Sequence, residues 1–163
     1  MIEIGIKTIG FFIAVFSFSM LINSPKKYLI WAGISGAAAG FIYMICMEAG
    51  WNAVISSFWS ALAAGLISHI FARVLKAPVT IFLIGGILPT VPGNGIYQIM
   101  NYVLQNDRSM ASFYLTQTLE IAGAIALAIF LMDTLFKVVR KGEWKQDSLR
   151  YIQKEERKEE EKW

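Results

Sequence analysis

A carboxyl inside an apolar run is the residue whose chemistry most needs an account. Glu120 lies within Phe113 to Phe136, where Asp133 is the only other charge, and ionisable groups at bilayer depth are costly and rare. Thr116, Glu120 and Gly123 share one helical face at i,i+4 and i,i+3 spacing, with Gln117 beside them. That spacing predicts a polar stripe turned toward a bundle interior. A carboxyl so placed can take up and release protons during transport. A hydrogen-bonded structural glutamate is the competing reading, and we rank it second.

The second chemically suggestive stretch is Ile84-Gly85-Gly86-Ile87-Leu88-Pro89-Thr90-Val91-Pro92-Gly93-Asn94-Gly95. Each proline removes a backbone donor and glycine has the largest entropy to lose, so no regular helix passes through it. Beyond it, Ile96, Ile99, Met100, Val103 and Leu104 recur at helical spacing, opposed by Asn94, Gln98, Asn101 and Gln105. This pattern predicts a short amphipathic half-helix. Lipid offers no hydrogen-bond partner to irregular backbone, so such a break belongs where protein or a water-filled cavity satisfies it. Exposed helix ends there present amides and carbonyls to a solute. On this reasoning Pro89, Pro92, Gly93, Asn94, Tyr97, Gln98 and Asn101 are the candidate substrate-binding or gating residues, and Glu120 the candidate proton-coupling residue.

Other polar groups read more plainly. Asp133 and Lys137 are spaced for an i,i+4 ion pair at an interface. His69, four residues before Arg73, and Lys7 are placed to reach the nearest interface with their polar heads. One histidine and one cysteine, Cys46, supply no metal-ligand set, and no cofactor is expected. Gly93-Asn94-Gly95 lacks the strand and the downstream Lys-Ser/Thr of a phosphate loop. Paired intramembrane aspartates are missing as well, so the pattern argues against an enzyme. The net charge of +3 arises from a mixed-sign tail with no aromatic-studded basic patch, and no nucleic-acid partner is expected.

The elements that must position these residues follow from hydropathy. Of the 163 residues 56% are hydrophobic and 17% charged, too few charges for an ordinary soluble domain, so the chain reads as an all-α integral membrane protein. A membrane domain, 1–136, has spans near 4–22, 28–47, 51–72, a broken 77–104 and 113–136; a charged cytoplasmic tail, 137–163, carries nine of the fifteen Lys and Arg. Glu3 and Lys7 give no clean signal-peptide n-region, so the first run is expected to be a retained span. Lys26, Lys27, Arg73, Lys76, Lys137, Arg140, Lys141 and Lys145 fall on one side and Lys7 and Arg108 on the other. That bias predicts an outside N-terminus, a cytoplasmic C-terminus and therefore an odd number of crossings. Gly36 and Gly40, and Ala61, Gly65 and Ser68, are small-residue stripes suited to close helix packing. In the tail, Glu155 with Glu159 and Lys154 with Lys158 repeat at i,i+4, as on a solvated helix.

Gly86-Ile87-Leu88-Pro89-Thr90-Val91-Pro92-Gly93 with Tyr97, preceded by Lys76-Ala77-Pro78 and followed by Leu104-Gln105-Asn106-Asp107, resembles the signature of the threonine/serine exporter (ThrE) family, in its small C-terminal-type subunit. Phe16-Ser17-Phe18, Asn23-Ser24-Pro25-Lys26-Lys27 and Ala32-Gly33-Ile34-Ser35-Gly36 are similar to that subunit's opening helices. The likeness runs over about residues 8–136. Thr90 departs from it, standing where the motif is more often apolar, and the tail lies outside it. The resemblance implies a bacterial plasma-membrane protein that, like the C-terminal half of single-chain exporters, works with a larger membrane subunit. It also implies export of small hydrophilic metabolites: threonine and serine, or dicarboxylates such as succinate in two-subunit relatives. Five spans make a small bundle, so a homo-oligomer is a further expectation. The alternative class is a non-transporting membrane scaffold or regulatory subunit whose Gly/Pro break is a docking hinge.

Overall fold

The computed structural model describes the backbone of residues 2–160 and the side-chain surroundings of residues 4–139. Six α-helices follow in order: α1, Ile2–Leu21; α2, Leu29–Glu48; α3, Ala53–Leu75; α4, Val79–Ile87; α5, Gly93–Leu104; and α6, Arg108–Glu160. There is no strand among the described residues. The side-chain pairings expected in the tail at 154–159 lie outside the described residues. α6 itself runs without a break from the apolar stretch into that tail.

Local chemistry sets the boundaries. Asn23 takes a left-handed φ of 55° after α1, and Pro25 opens the turn that leads into α2. The Asn52 side chain accepts from the Ile55 amide at 2.9 Å, satisfying one of the orphan donors of the first turn of α3. α3 stops at Lys76, which is left-handed with φ 50°; the Ala77 amide then reaches back to Ala72 at 3.1 Å, before Pro78 prevents continuation. Asp107 caps α6 by accepting from the Met110 amide at 3.1 Å.

Four helices are long and apolar enough to cross a membrane, and α4 with α5 form a pair bent by 47° at the break. The course of that pair is fixed by its neighbours. Phe82 of α4 meets Phe71 near the end of α3 and Tyr28 at the start of α2, whereas Tyr102 near the end of α5 stacks on Tyr114 near the start of α6. α4–α5 therefore travels from one end of the bundle to the other. Lys26, Lys27, Arg73, Lys76 and Lys137 gather at the end where α4 begins, called here the basic end.

Glycines bring the backbones together. A β-carbon built on Gly36 would lie 2.9 Å from the Gly85 carbonyl oxygen and against Val15, so α1, α2 and α4 meet there. A β-carbon on Gly86 would lie 2.7 Å from Ser35 Oγ and 3.0 Å from Ala64. Gly33 and Gly40 receive Phe12 and Phe11 of α1, and Gly65 receives Met132 of α6. The small stripes anticipated on α2 and α3 are thus the sites of closest helix approach.

Candidate functional site

The interior is polar for a membrane bundle. Ser19, Ser35, Ser56, Ser57, Ser60, Ser68 and Thr90 are all buried. Ser60 donates to the Ala39 carbonyl across helices at 2.6 Å and Ser68 to Ala64 at 2.6 Å. Ser35 and Ser56 are buried with no hydrogen-bond partner for their hydroxyls among the described residues, a state that costs about 1–3 kcal/mol each.

The break itself is a single 3-10 turn, Leu88–Thr90, between α4 and α5. Pro89 brings no amide to the carbonyl one turn back, at Gly85, and that carbonyl lies against Gly36 of α2. Thr90 is buried and donates to the Ile87 carbonyl at 2.7 Å, holding the turn closed. The Val91 amide turns to the Leu88 carbonyl at 3.4 Å, so the Thr90 hydroxyl serves the Ile87 carbonyl in place of that amide, which gives a physical reason for a polar residue at this position.

The candidate residues divide around this turn. Pro89 and Pro92 are half-buried, while Gly93 and Asn94 are exposed, as is Tyr97 at 66%. Gln98 and Asn101 are half-buried, and the Asn101 side-chain Oδ1 accepts from Gln105 Nε2 at 3.1 Å. Gly95 is pressed against Thr118 of α6. α5 thus turns Gly95, Gln98 and Tyr102 toward α6 and leaves Ile96, Met100, Val103 and Leu104 outward.

Glu120 is turned away from where the spacing placed it. The face of α6 that enters the bundle carries Ile125, Ala128 and Met132, because Ala61 and Gly65 of α3 admit them. Glu120 and Thr116 are exposed on the flank, and a β-carbon at Gly123 would meet nothing within 4 Å. The Glu120 carboxylate lines a cavity of about 180 Å³ with Asn52, Ala53, Val54, Phe113, Thr116 and Gln117. It therefore sits beside the first turn of α3, whose amide-rich end favours a negative charge. Glu120 lies on the side of α6 that faces the start of α3, whereas Thr118, two residues earlier, meets Gly95 of α5.

Two further cavities, which sequence reasoning did not anticipate, open at the basic end between α3, α4 and α6. One, of about 280 Å³, is lined by His69, Arg73, Asp133, Phe136 and Lys137. The other, of about 550 Å³, shares His69, Val79 and Asp133 with it and continues along Thr80 and Leu83. The expected Asp133–Lys137 ion pair is present at 2.6 Å. The only signal for this cluster was the pair of i,i+4 spacings, His69–Arg73 and Asp133–Lys137, which carries no information about their meeting.

A helical bundle of four long apolar spans plus a bent pair that runs end to end defines an all-α integral membrane protein. The family model described as Threonine/Serine exporter, ThrE, matches residues 7–135, and the chain belongs to that family. It is thereby a transporter of the threonine/serine-exporter type, located in a membrane. No solved structure matches it.

Proposed function

We propose that this protein is a subunit of a secondary exporter of small hydrophilic metabolites, threonine/serine-like amino acids or dicarboxylates such as succinate. It works with a larger ThrE-type subunit in a bacterial plasma membrane, with its N-terminus outside and its C-terminus cytoplasmic. The observation that carries this reading is the crossing broken at Leu88–Thr90, where a proline-freed carbonyl and a hydroxyl-lined interior lie together at mid-bundle. A broken helix at that depth offers polar backbone to a solute and a pivot for alternating access. Pro89, Pro92, Gly93, Asn94, Tyr97, Gln98 and Asn101 form or gate the solute path on this reading. Glu120 supplies the proton coupling from its place beside the α3 N-terminus.

Replacing Glu120 with Gln removes the titrating group and keeps its size. Efflux by the Glu120→Gln variant is expected to lose its pH dependence while membrane insertion is unchanged. Efflux that follows pH as in the wild type would take Glu120 out of the mechanism. The second reading, a non-transporting scaffold or regulatory subunit, is favoured by one observation, the outward apolar face of α5 at Ile96, Met100, Val103 and Leu104. Solute-dependent thermal stabilisation of this chain alone favours a site within it, and stabilisation only together with the larger subunit favours a shared site; a scaffold gains none in either case.

A further inference from the structure

The basic end has a side where α2, α3 and α4 meet without α6. Lys26 and Lys27 stand there at the start of one membrane-spanning stretch, and Lys76 one residue past the end of the next, which puts all three at the depth of an interface. Their backbones are fixed. Lys26 and Lys27 lie in a 3-10 turn that the Tyr28 amide closes on the Pro25 carbonyl at 2.8 Å, and Lys76 is the left-handed residue that ends α3. An aromatic ladder joins the two positions. Tyr28 meets Phe82 at 5.8 Å between ring centres, Phe82 meets Phe71 at 5.9 Å, and Phe71 meets Trp31 at 5.1 Å. Lys27 Nζ lies 5.7 Å from the centre of the Tyr28 ring. Beside this ladder the wall is apolar and open, with Ile34 and Val74 exposed one turn beyond Trp31 and Phe71 on their helices.

We infer that this corner seats an anionic phospholipid, its phosphate among Lys26, Lys27 and Lys76 and an acyl chain along Trp31, Ile34 and Val74. Charge and apolar surface together select that occupant. All three lysines are exposed. Among the described residues the one carboxylate at the basic end is Asp133, which is on α6 and paired with Lys137 at 2.6 Å. Pro78 gives α4 no side-chain cap, so the positive end of that helix dipole adds to the lysines. A soluble anion would use the charges and leave the apolar wall unused. A zwitterionic headgroup brings a cation of its own, whereas an anionic one does not. Juxtamembrane lysines attract anionic lipid in general; here rigid turns hold them over one wall, so the attraction has one seat. A lipid in it ties the starts of α2 and α4 to the end of α3. The inference is independent of the exporter reading and of which side of the membrane the basic end faces.

The test titrates the detergent-solubilised full chain with dioleoyl phosphatidylglycerol and with dioleoyl phosphatidylcholine, whose chains match, and reads bound lipid by native mass spectrometry. Phosphatidylglycerol is expected to bind about a hundredfold more tightly, three lysines at roughly fivefold each. It is also expected to raise the thermal midpoint, as a ligand of the folded state does. Lys26→Gln, Lys27→Gln and Lys76→Gln are each expected to lower the preference roughly fivefold, and the three together to abolish it. The combined Lys→Arg variant keeps the charges and is expected to keep the preference, which separates lost charge from lost fold. Arg108→Gln, at the other end of the bundle, is expected to bind as the wild type does. Equal binding of the two lipids by the wild type would overturn the seat. So would a preference that survives the combined Gln variant, or one that Arg108→Gln loses to the same degree. Inorganic phosphate that raises the midpoint as far as the lipid would overturn it too, because the chain would then contribute nothing.

Discussion

Gly36→Leu is expected to cause the largest loss of stability of any single substitution in the bundle. A β-carbon at Gly36 would meet the Gly85 carbonyl oxygen at 2.9 Å and press on Val15. The first of these is backbone, which cannot rotate aside as a side chain can. Relief requires α2 to move from α4, and that movement also opens the contact between Gly86 and Ser35. Overpacking of this kind costs on the order of 3 kcal/mol, and roughly ten degrees of thermal midpoint at the per-residue entropies of domains this size. Gly10→Leu is the control, since a β-carbon at Gly10 meets nothing within 4 Å, and it is expected to melt with the wild type. Thermal scans of detergent-solubilised protein by fluorescence-detected size exclusion compare them. Equal midpoints for Gly36→Leu and the wild type would mean that α1, α2 and α4 do not meet as described.

The second large effect falls on transport and spares the fold. Gly93 is the first residue of α5, and a β-carbon there meets nothing within 4 Å. Its φ lies outside the left-handed region that favours glycine. Alanine therefore fits the observed conformation, and by restricting the unfolded chain it adds about 0.4–1 kcal/mol of stability. If α5 pivots on the 3-10 turn during each cycle, the same restriction stiffens the pivot. Gly93→Ala is expected to keep or raise the thermal midpoint and to slow efflux. Pro92→Ala, which returns an amide to the break and lets the helices continue, is expected to slow efflux further, by roughly ten- to hundredfold where positioning of the solute is lost. Initial efflux rates at matched membrane abundance give the comparison. Wild-type rates in both variants would remove the break from the transport cycle.

Much of the scaffold was legible because membrane burial writes itself in composition. The apolar runs at 4–22, 28–47 and 51–72 fold as the helices α1, α2 and α3, with the ends of α3 set where Asn52 and Lys76 cap it. The break was legible for a different reason, since Pro89 and Pro92 forbid a continuous helix whatever surrounds them. Hydropathy marks where lipid begins and not where a helix does, so α6 starts at Arg108, ahead of the apolar run, and continues past Phe136 into the tail, for which a charged helix is the expectation. Periodicity placed Thr116, Glu120 and Gly123 on one face, which is correct, but it could not say which face of α6 would win α3. Shape decided that in favour of Ile125, Ala128 and Met132, and the carboxylate was left on the flank. The cavities at the basic end were illegible from local spacing, because His69 and Asp133 are brought together only by the packing of α3 on α6.

The central claim, that this protein carries part of an export pathway, is tested most directly by efflux. Cells lacking the gene are preloaded with serine, threonine or succinate and compared with cells re-expressing it alone or together with its candidate large subunit. Faster loss of at least one of these solutes only when both proteins are present is the predicted result, and it names the substrate class. Identical efflux of all three solutes in every strain, with membrane insertion of both proteins confirmed, would contradict the account and favour the scaffold reading.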